Sequence, residues 1–544
     1  MLKKIIAVLL LVTVLLTVTA CGKKVDTDEE ASVVGRGEST NDSGTTVVEG
    51  GAEADAEMPK GEGSYSENKS NSILSTGDYA ISEDYVIQGT VTNDNGFIPD
   101  ENPQYQAVTE NVFTKTAEQT TTTFAADVDT ASYATLRNAI KGNMDIPPQS
   151  IRVEEMINYF SYDYKAPEGD IPFSVQTEIM DSPWSDNKLI RFGLGTKAPD
   201  YSEFADSNLV FLIDVSGSMD AANKLPLVKR AFAMLTENMG KKDKISIVTY
   251  ASQDKIVIEG AGADKSFEIQ TAIENLTAGG STYGESGIIT AYRLAEKYFI
   301  KDGNNRVILA TDGDLNVGVS DTNELVKLIK QKKQSGIYLS VMGFGTDNLM
   351  DDKLESIADN GNGNYSYIDS VTEAKKVLCE EFGGTLFTVA KDVKLQVEFD
   401  KDAIEEYRLI GYENRTMANE DFDDDTKDGG EIGAGHRVTA IYEVKVKDES
   451  KQEWGTLSVR HKKPDGDKSE LSEYAFGSEN YVKEPSEDTL FAVSVAQFGM
   501  LMRKSENVKG SYSDILSRIS PLECVKNDEY KAEFLTFVQK YAGE

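Results

Sequence analysis

Histidine is almost missing from this chain: 544 residues carry only two, His436 and His461. Imidazole is the usual proton carrier near neutral pH, so this scarcity narrows the hydrolytic chemistry available. His436, in "GAGHRVTAIYE", opens a strand-like run and reads as a structural hydrogen bonder. The chain also lacks GxSxG, HExxH and the phosphate-cradling GxxxxGK[ST]. It therefore reads as a non-enzyme. Bases are scarce as well: 56 Lys and Arg face 92 Asp and Glu, for a formal net charge of -36. No basic stripe interrupts that acidity, which excludes nucleic acid as a partner. Cysteine occurs three times, too seldom for a disulfide framework. Cys379 and Cys524 sit in helical-looking apolar stretches ("AKKVLCEEF", "SPLECVKN"), where they either pair or stay as buried thiols.

Long apolar runs are confined to the start. "MLKKIIAVLLLVTVLLTVTAC" has Lys3 and Lys4, an apolar stretch, small residues and then Cys21. The stretch is shorter than the roughly 20 residues a membrane-spanning helix needs, and its layout is that of an export signal. Val18-Thr19-Ala20-Cys21 resembles the lipobox of bacterial lipoproteins. That resemblance implies cleavage after residue 20 and acylation of Cys21. The protein would then be exported and lipid-anchored to the outer face of the bacterial cell membrane, or to the outer membrane if the envelope has two. Residues 21–105 are acidic, rich in Gly, Ser and Thr and poor in aromatics, the composition of a disordered tether.

Periodicity begins near residue 106. Between 106 and 204, "TASYATLRNAIKGNM" and "SIRVEEMINYF" have helical spacing, with Ser150 as the expected cap of the second. Two strand-like runs follow, "IPFSVQTEI" and "NKLIRFGLGT". From 205 to 387 strands alternate with helices, which predicts an α/β fold with a doubly wound, mostly parallel sheet. "DKIVIEG" is expected as an antiparallel edge. Residues 388–480 read as a β-sandwich-like region, and 481–544 as terminal helices.

Sites in such sheets lie at the carboxyl ends of strands, and three oxygen-bearing loops fall there. "FLIDVSGSMD" ends a strand at Asp214 and turns through Ser216 and Ser218. "TAGGSTYGESG" carries Ser281 and Thr282, and "ILATDGDLN" ends a strand at Asp312. A hard divalent cation seeks such oxygens, six of them for Mg²⁺. Asp220 and Asp314 read as turn acids, and "EDFDDDTKDGGE" as a solvated acidic loop, since it lacks EF-hand spacing.

The Asp-x-Ser-x-Ser at 214, 216 and 218, the "GGST" threonine and the "TDG" aspartate resemble the von Willebrand factor A domain and its metal-ion-dependent adhesion site. The resemblance implies that Ser216, Ser218 and Thr282 coordinate a metal, with Asp214 and Asp312 binding directly or through water. It implies Mg²⁺, with Mn²⁺ or Ca²⁺ as alternatives, and a partner protein whose Asp or Glu completes the shell. "FAADVDTASYATLR", "IRVEEMINYFSYDY", "YRLIGYENR" and "FAVSVAQFGMLMR" extend the resemblance to the YfbK-type bacterial lipoproteins. An alternative role is an assembly or regulatory subunit of a membrane complex, with a mainly structural metal.

Overall fold

Strand β1 (Ser207–Asp214) shows why the middle of the chain folds as it does. All eight of its residues are buried, as expected of a strand covered on both faces. Alternate side chains point to opposite layers. Val210 and Leu212 pack with Ile288, Ala291 and Tyr292 on one side. Leu209, Phe211 and Ile213 pack with Phe232 and Leu235 on the other, where the Phe211 and Phe232 rings stack at 4.3 Å.

The computed structural model describes residues 109–543 apart from 127–128, 170, 198–205, 238, 314–321, 346–350, 382–387, 428 and 465. The export signal over 1–20, Cys21, the tether over 21–105 and Asp314 lie outside the described residues. Among the described residues, no helix is long and apolar enough to cross a membrane.

Around β1 lie β2 (Lys244–Tyr250), β3 (Asp254–Ala261), β4 (Asn304–Thr311), β5 (Ile337–Phe344) and β6 (Tyr365–Ile368), in the order β6-β5-β4-β1-β2-β3. Every pairing is parallel except that of β3, the "DKIVIEG" strand, which runs antiparallel to β2. The α/β fold class expected from the sequence is present.

The sandwich differs from its sequence outline. It consists of two antiparallel sheets, each built from both flanks of the parallel sheet. Thr121–Ala125 lies beside Thr388–Phe399 in one; Lys188–Thr196 lies beside Arg437–Val446 in the other. Residues 388–480 therefore do not close a sandwich alone. A two-sheet core needs enough apolar faces to exclude water, and Phe124 and Phe192 from the amino-terminal side complete a set with Phe399, Tyr442, Trp454 and Phe476. The acidic loop near 421–425 covers basic strand residues. Lys394 donates to the Asp421 and Asp424 carbonyls at 2.9 and 2.6 Å, and Arg460 pairs with Asp423 and Asp425 at 3.2 and 3.1 Å.

The carboxyl-terminal helix Glu487–Met502 is apolar all round because it is enclosed. It packs on the helix Val153–Asn158, where Met156 Sδ lies 3.1 Å from where a Cβ would stand on Gly499. Ser150 does not cap that helix. Its hydroxyl donates to the Pro147 carbonyl at 2.8 Å and closes a preceding turn, and Arg152 takes the cap position. Cys524 carries a free thiol, pushed up to about 11 chiefly by burial, and so does not pair with Cys379.

Candidate metal centre

Parallel register sets the first contact. β1 pairs Ile213 with Ala310 of β4, so the next residues along, Asp214 and Thr311, come side by side. The Thr311 hydroxyl donates to Asp214 Oδ2 at 3.4 Å and accepts from the Gly313 N–H at 3.2 Å. On the other carboxylate oxygen, Oδ1, the Ser216 N–H donates at 2.8 Å, which turns the chain sharply after the strand. A 3₁₀ turn over Gly217–Asp220 follows and brings Ser216 Oγ within 3.0 Å of Ser218 Oγ. Ser216 is buried and Ser218 exposed, so the cluster opens to solvent on the Ser218 side.

The second loop lies across this turn like a strap. Gly217 N–H donates to the Gly280 carbonyl at 3.0 Å, and Gly279 N–H to the Val215 carbonyl at 2.8 Å. Gly280 needs its φ of +87°, and a Cβ there would stand 2.6 Å from Ser252 Oγ. That hydroxyl accepts the Ser281 N–H at 3.0 Å, and Tyr283 N–H donates to the Ala251 carbonyl at 2.9 Å. Thr282, half-buried, lies between these two anchors.

The third loop contributes Asp312, which is fully buried. Its Oδ2 accepts from Lys224 Nζ at 2.9 Å, while its Oδ1 has no hydrogen-bond partner among the described residues. Burial pushes the Asp214 carboxyl up to about 6, and the charge of Asp312 adds to the rise, while the Ser216 N–H and hydroxyl oppose it. A buried carboxylate oxygen without a partner is costly unless something positive meets it.

The residues present fit a hard divalent cation. The three loops offer two carboxylates and several hydroxyls, all oxygen donors, and one oxygen of Asp312 has no partner among the described residues. Among the described residues, no group of three or more His, Cys, Asp or Glu side chains is arranged to hold a metal. A cation here would therefore depend on the serine and threonine oxygens. Asp220 is exposed at the end of the turn. The histidines lie in the sandwich, His461 edge-on to Phe173 at 5.2 Å and His436 accepting from Gly433 N–H at 3.4 Å.

Sequence reasoning passed over Lys224. Its local signal was slight: a lysine just ahead of a helix (Leu225–Glu237), where a positive charge opposes the helix dipole and calls for a partner.

Three family models match the chain: a von Willebrand factor model over residues 99–191, the von Willebrand factor type A domain over 208–379, and the carboxyl-terminal model of the uncharacterized protein YfbK over 384–543. YfbK of Escherichia coli (strain K12) is 37% identical over 468 residues, which is 81% of each chain. Among solved structures, a von Willebrand factor type A protein from Catenulispora acidiphila has 15% identity and a TM-score of 0.41, over 68% of this chain and 89% of its own. Proximal thread matrix protein 1 from the mussel byssus, described with a zinc-occupied MIDAS motif, has 20% identity and a TM-score of 0.27, over 32% of this chain and 45% of its own. With the YfbK relative matched across most of both sequences, this chain belongs to the YfbK family and carries a von Willebrand factor type A domain.

Proposed function

We propose that this protein is an exported lipoprotein, anchored through acylated Cys21, that grips a partner protein through a metal ion. Asp214, Ser216, Ser218, Thr282 and Asp312 would hold the ion, Mg²⁺ in the first instance. An Asp or Glu side chain from the partner would complete its shell. Type A domains typically mediate protein–protein interaction through this kind of adhesion site, and hydroxyl ligands leave a bound cation with most of its charge. The single observation that carries the reading is Asp312 Oδ1, a buried acceptor without a hydrogen-bond partner among the described residues, on a carboxylate whose charge reaches Asp214. The surrounding acidity would favour selectivity, since only a carboxylate carried on a complementary surface overcomes long-range repulsion. The proposed location is the outer face of the cell membrane, or the outer membrane of a two-membrane envelope.

The test is capture of envelope proteins from detergent extract by the full chain, with and without EDTA, beside Ser218→Ala. The reading expects capture that Mg²⁺ restores and that the variant loses while staying folded. Capture unaffected by either change would move the contact surface elsewhere. Co-purification of one stoichiometric membrane complex regardless of EDTA would favour an assembly subunit with a structural metal.

A further inference from the structure

A cleft of about 360 Å³ lies between two paired strands of the sandwich, Phe173–Asp181 and Lys188–Thr196, and the start of the helix Glu487–Met502. Strand register sets its floor, with Glu178 opposite Arg191 and Gln176 opposite Gly193. A Cβ on Gly193 would stand 2.4 Å from Tyr164 Cζ, so the Tyr164 ring can lie on the strand only because no side chain is there. Arg191 is 4% exposed, and its guanidinium carbon lies 5.1 Å from the centre of that ring. Burial pushes the Tyr164 hydroxyl up, and the Arg191 charge opposes the rise. Arg191 Nη2 reaches Glu178 Oε2 at 3.5 Å, while its Nε and Nη1 meet no hydrogen-bond acceptor among the described residues. Gln176 Nε2 is in the same condition. Buried N–H groups of this kind cost free energy until an acceptor meets them.

The carboxylates around the cleft narrow what that acceptor is. Glu178 accepts from the Ser486 N–H at 2.6 Å and from the Ser486 and Thr489 hydroxyls at 2.6 and 2.8 Å. Asp488 accepts from the Asp163 N–H at 2.6 Å and from Lys531 Nζ at 3.2 Å. Glu487 accepts from the N–H groups of Glu523 and Cys524 at 3.1 and 2.7 Å. These acids are held by other donors and leave the Arg191 and Gln176 N–H groups unanswered. They line the same cleft, so a free anion would be repelled by each of them. A cation offers nothing to which an N–H can donate. We propose that the cleft binds an uncharged, hydroxyl-rich ligand of sugar size. Its oxygens accept from Arg191 and Gln176, and its hydroxyls donate to the remaining lone pairs of Glu178 and Asp488. The volume falls within the roughly 300–1,000 Å³ usual for small-molecule sites.

Water would also meet these N–H groups, and the test separates the two. It uses the full chain in a sugar-free detergent and follows binding by saturation-transfer difference NMR. The probes are glucose, N-acetylglucosamine and myo-inositol, beside glycine and acetate. The unaltered protein is compared with Arg191→Lys and Gln176→Met. Lysine keeps the charge but gives up the fork of donors, and the glutamine variant serves if the arginine variant fails to fold. At least one neutral probe is expected to bind at millimolar concentration, and to bind each variant about tenfold more weakly. EDTA is expected to leave this binding unchanged, so it stands or falls apart from the adhesion-site reading. Binding of glycine or acetate in place of the neutral probes overturns the proposal, as does an unchanged affinity in a folded variant. Binding of no probe overturns it as well and leaves the N–H groups to water.

Discussion

Glu443 in the sandwich and Asp312 at the rim of the parallel sheet are both buried carboxylates, at 1% and 0% exposure, yet their surroundings differ. Glu443 accepts from Arg408 Nη2 at 2.8 Å, Trp184 Nε1 at 3.2 Å, Ser185 Oγ at 2.6 Å and Asn187 Nδ2 at 3.0 Å. Asp312 has the Lys224 contact on one oxygen and, among the described residues, no hydrogen-bond partner on the other. A buried carboxylate with donors on both oxygens fixes the arrangement of its neighbours. A buried acceptor left unmet adds nothing to the fold by itself. The two carboxylates therefore differ in the donors that meet them among the described residues, even though both are deeply buried.

Breaking the Glu443 network gives the largest expected effect. Glu443→Ala strands the Arg408 guanidinium and the Trp184 N–H in a core, at a cost of about 3–5 kcal/mol. Thermal unfolding is expected to show this loss equally in Mg²⁺ and in EDTA. A loss that Mg²⁺ reversed would mean that the two regions are coupled, and the contrast between them would fail.

A buried acid in a third setting sharpens the comparison. Glu154 sits near Glu413 and Glu155, and burial, followed by those two charges, pushes its carboxyl up to about 8. The folded state therefore binds this proton more tightly than the unfolded chain does, where the group stays near 4.5. Its contribution is fully present below about pH 4.5 and is lost as pH rises through about 8. Glu154→Gln is expected to raise stability by about 1–3 kcal/mol above pH 8 and to change it little at pH 4. Chemical denaturation at the two pH values checks this; an equal effect at both would show that the carboxyl is not destabilised when ionised.

Proton competition at the rim should be of the next size. With Asp214 pushed up to about 6, a cation must displace a proton below that pH. The rise in unfolding temperature caused by millimolar Mg²⁺ is expected to be full at pH 7.5 and to shrink at pH 5. A rise as large at pH 5 would mean that Asp214 takes no part in binding.

Particular residues show what could be read from the sequence. β1 was legible because "NLVFLIDVS" is apolar on both faces and ends in an acid, so its burial and its site-bearing end are written in one stretch. The antiparallel edge was expected too, from the short run "DKIVIEG". The sandwich pairing was not: Lys394 lies opposite Ala125, and no local pattern names a partner so distant in sequence. Ser150 misled because a hydroxyl ahead of a helix has two competing acceptor and donor roles, and here the Pro147 carbonyl took its hydrogen. Lys224 was missed for a related reason, as its meaning depends on Asp312, 88 positions later.

The smallest expected change in stability belongs to the most telling variant. Ser218 is exposed, and its hydroxyl lies 3.0 Å from that of Ser216. Removing an exposed hydroxyl of this kind changes stability by no more than about 0.5 kcal/mol. In EDTA, Ser218→Ala should therefore unfold with the unaltered protein. In Mg²⁺ the two should separate, because a ligand that binds only the folded state stabilises in proportion to its occupancy. If the variant keeps the full Mg²⁺ response, the serine pair is ordinary turn chemistry, and the unmet oxygen of Asp312 must be answered by something other than a shared cation.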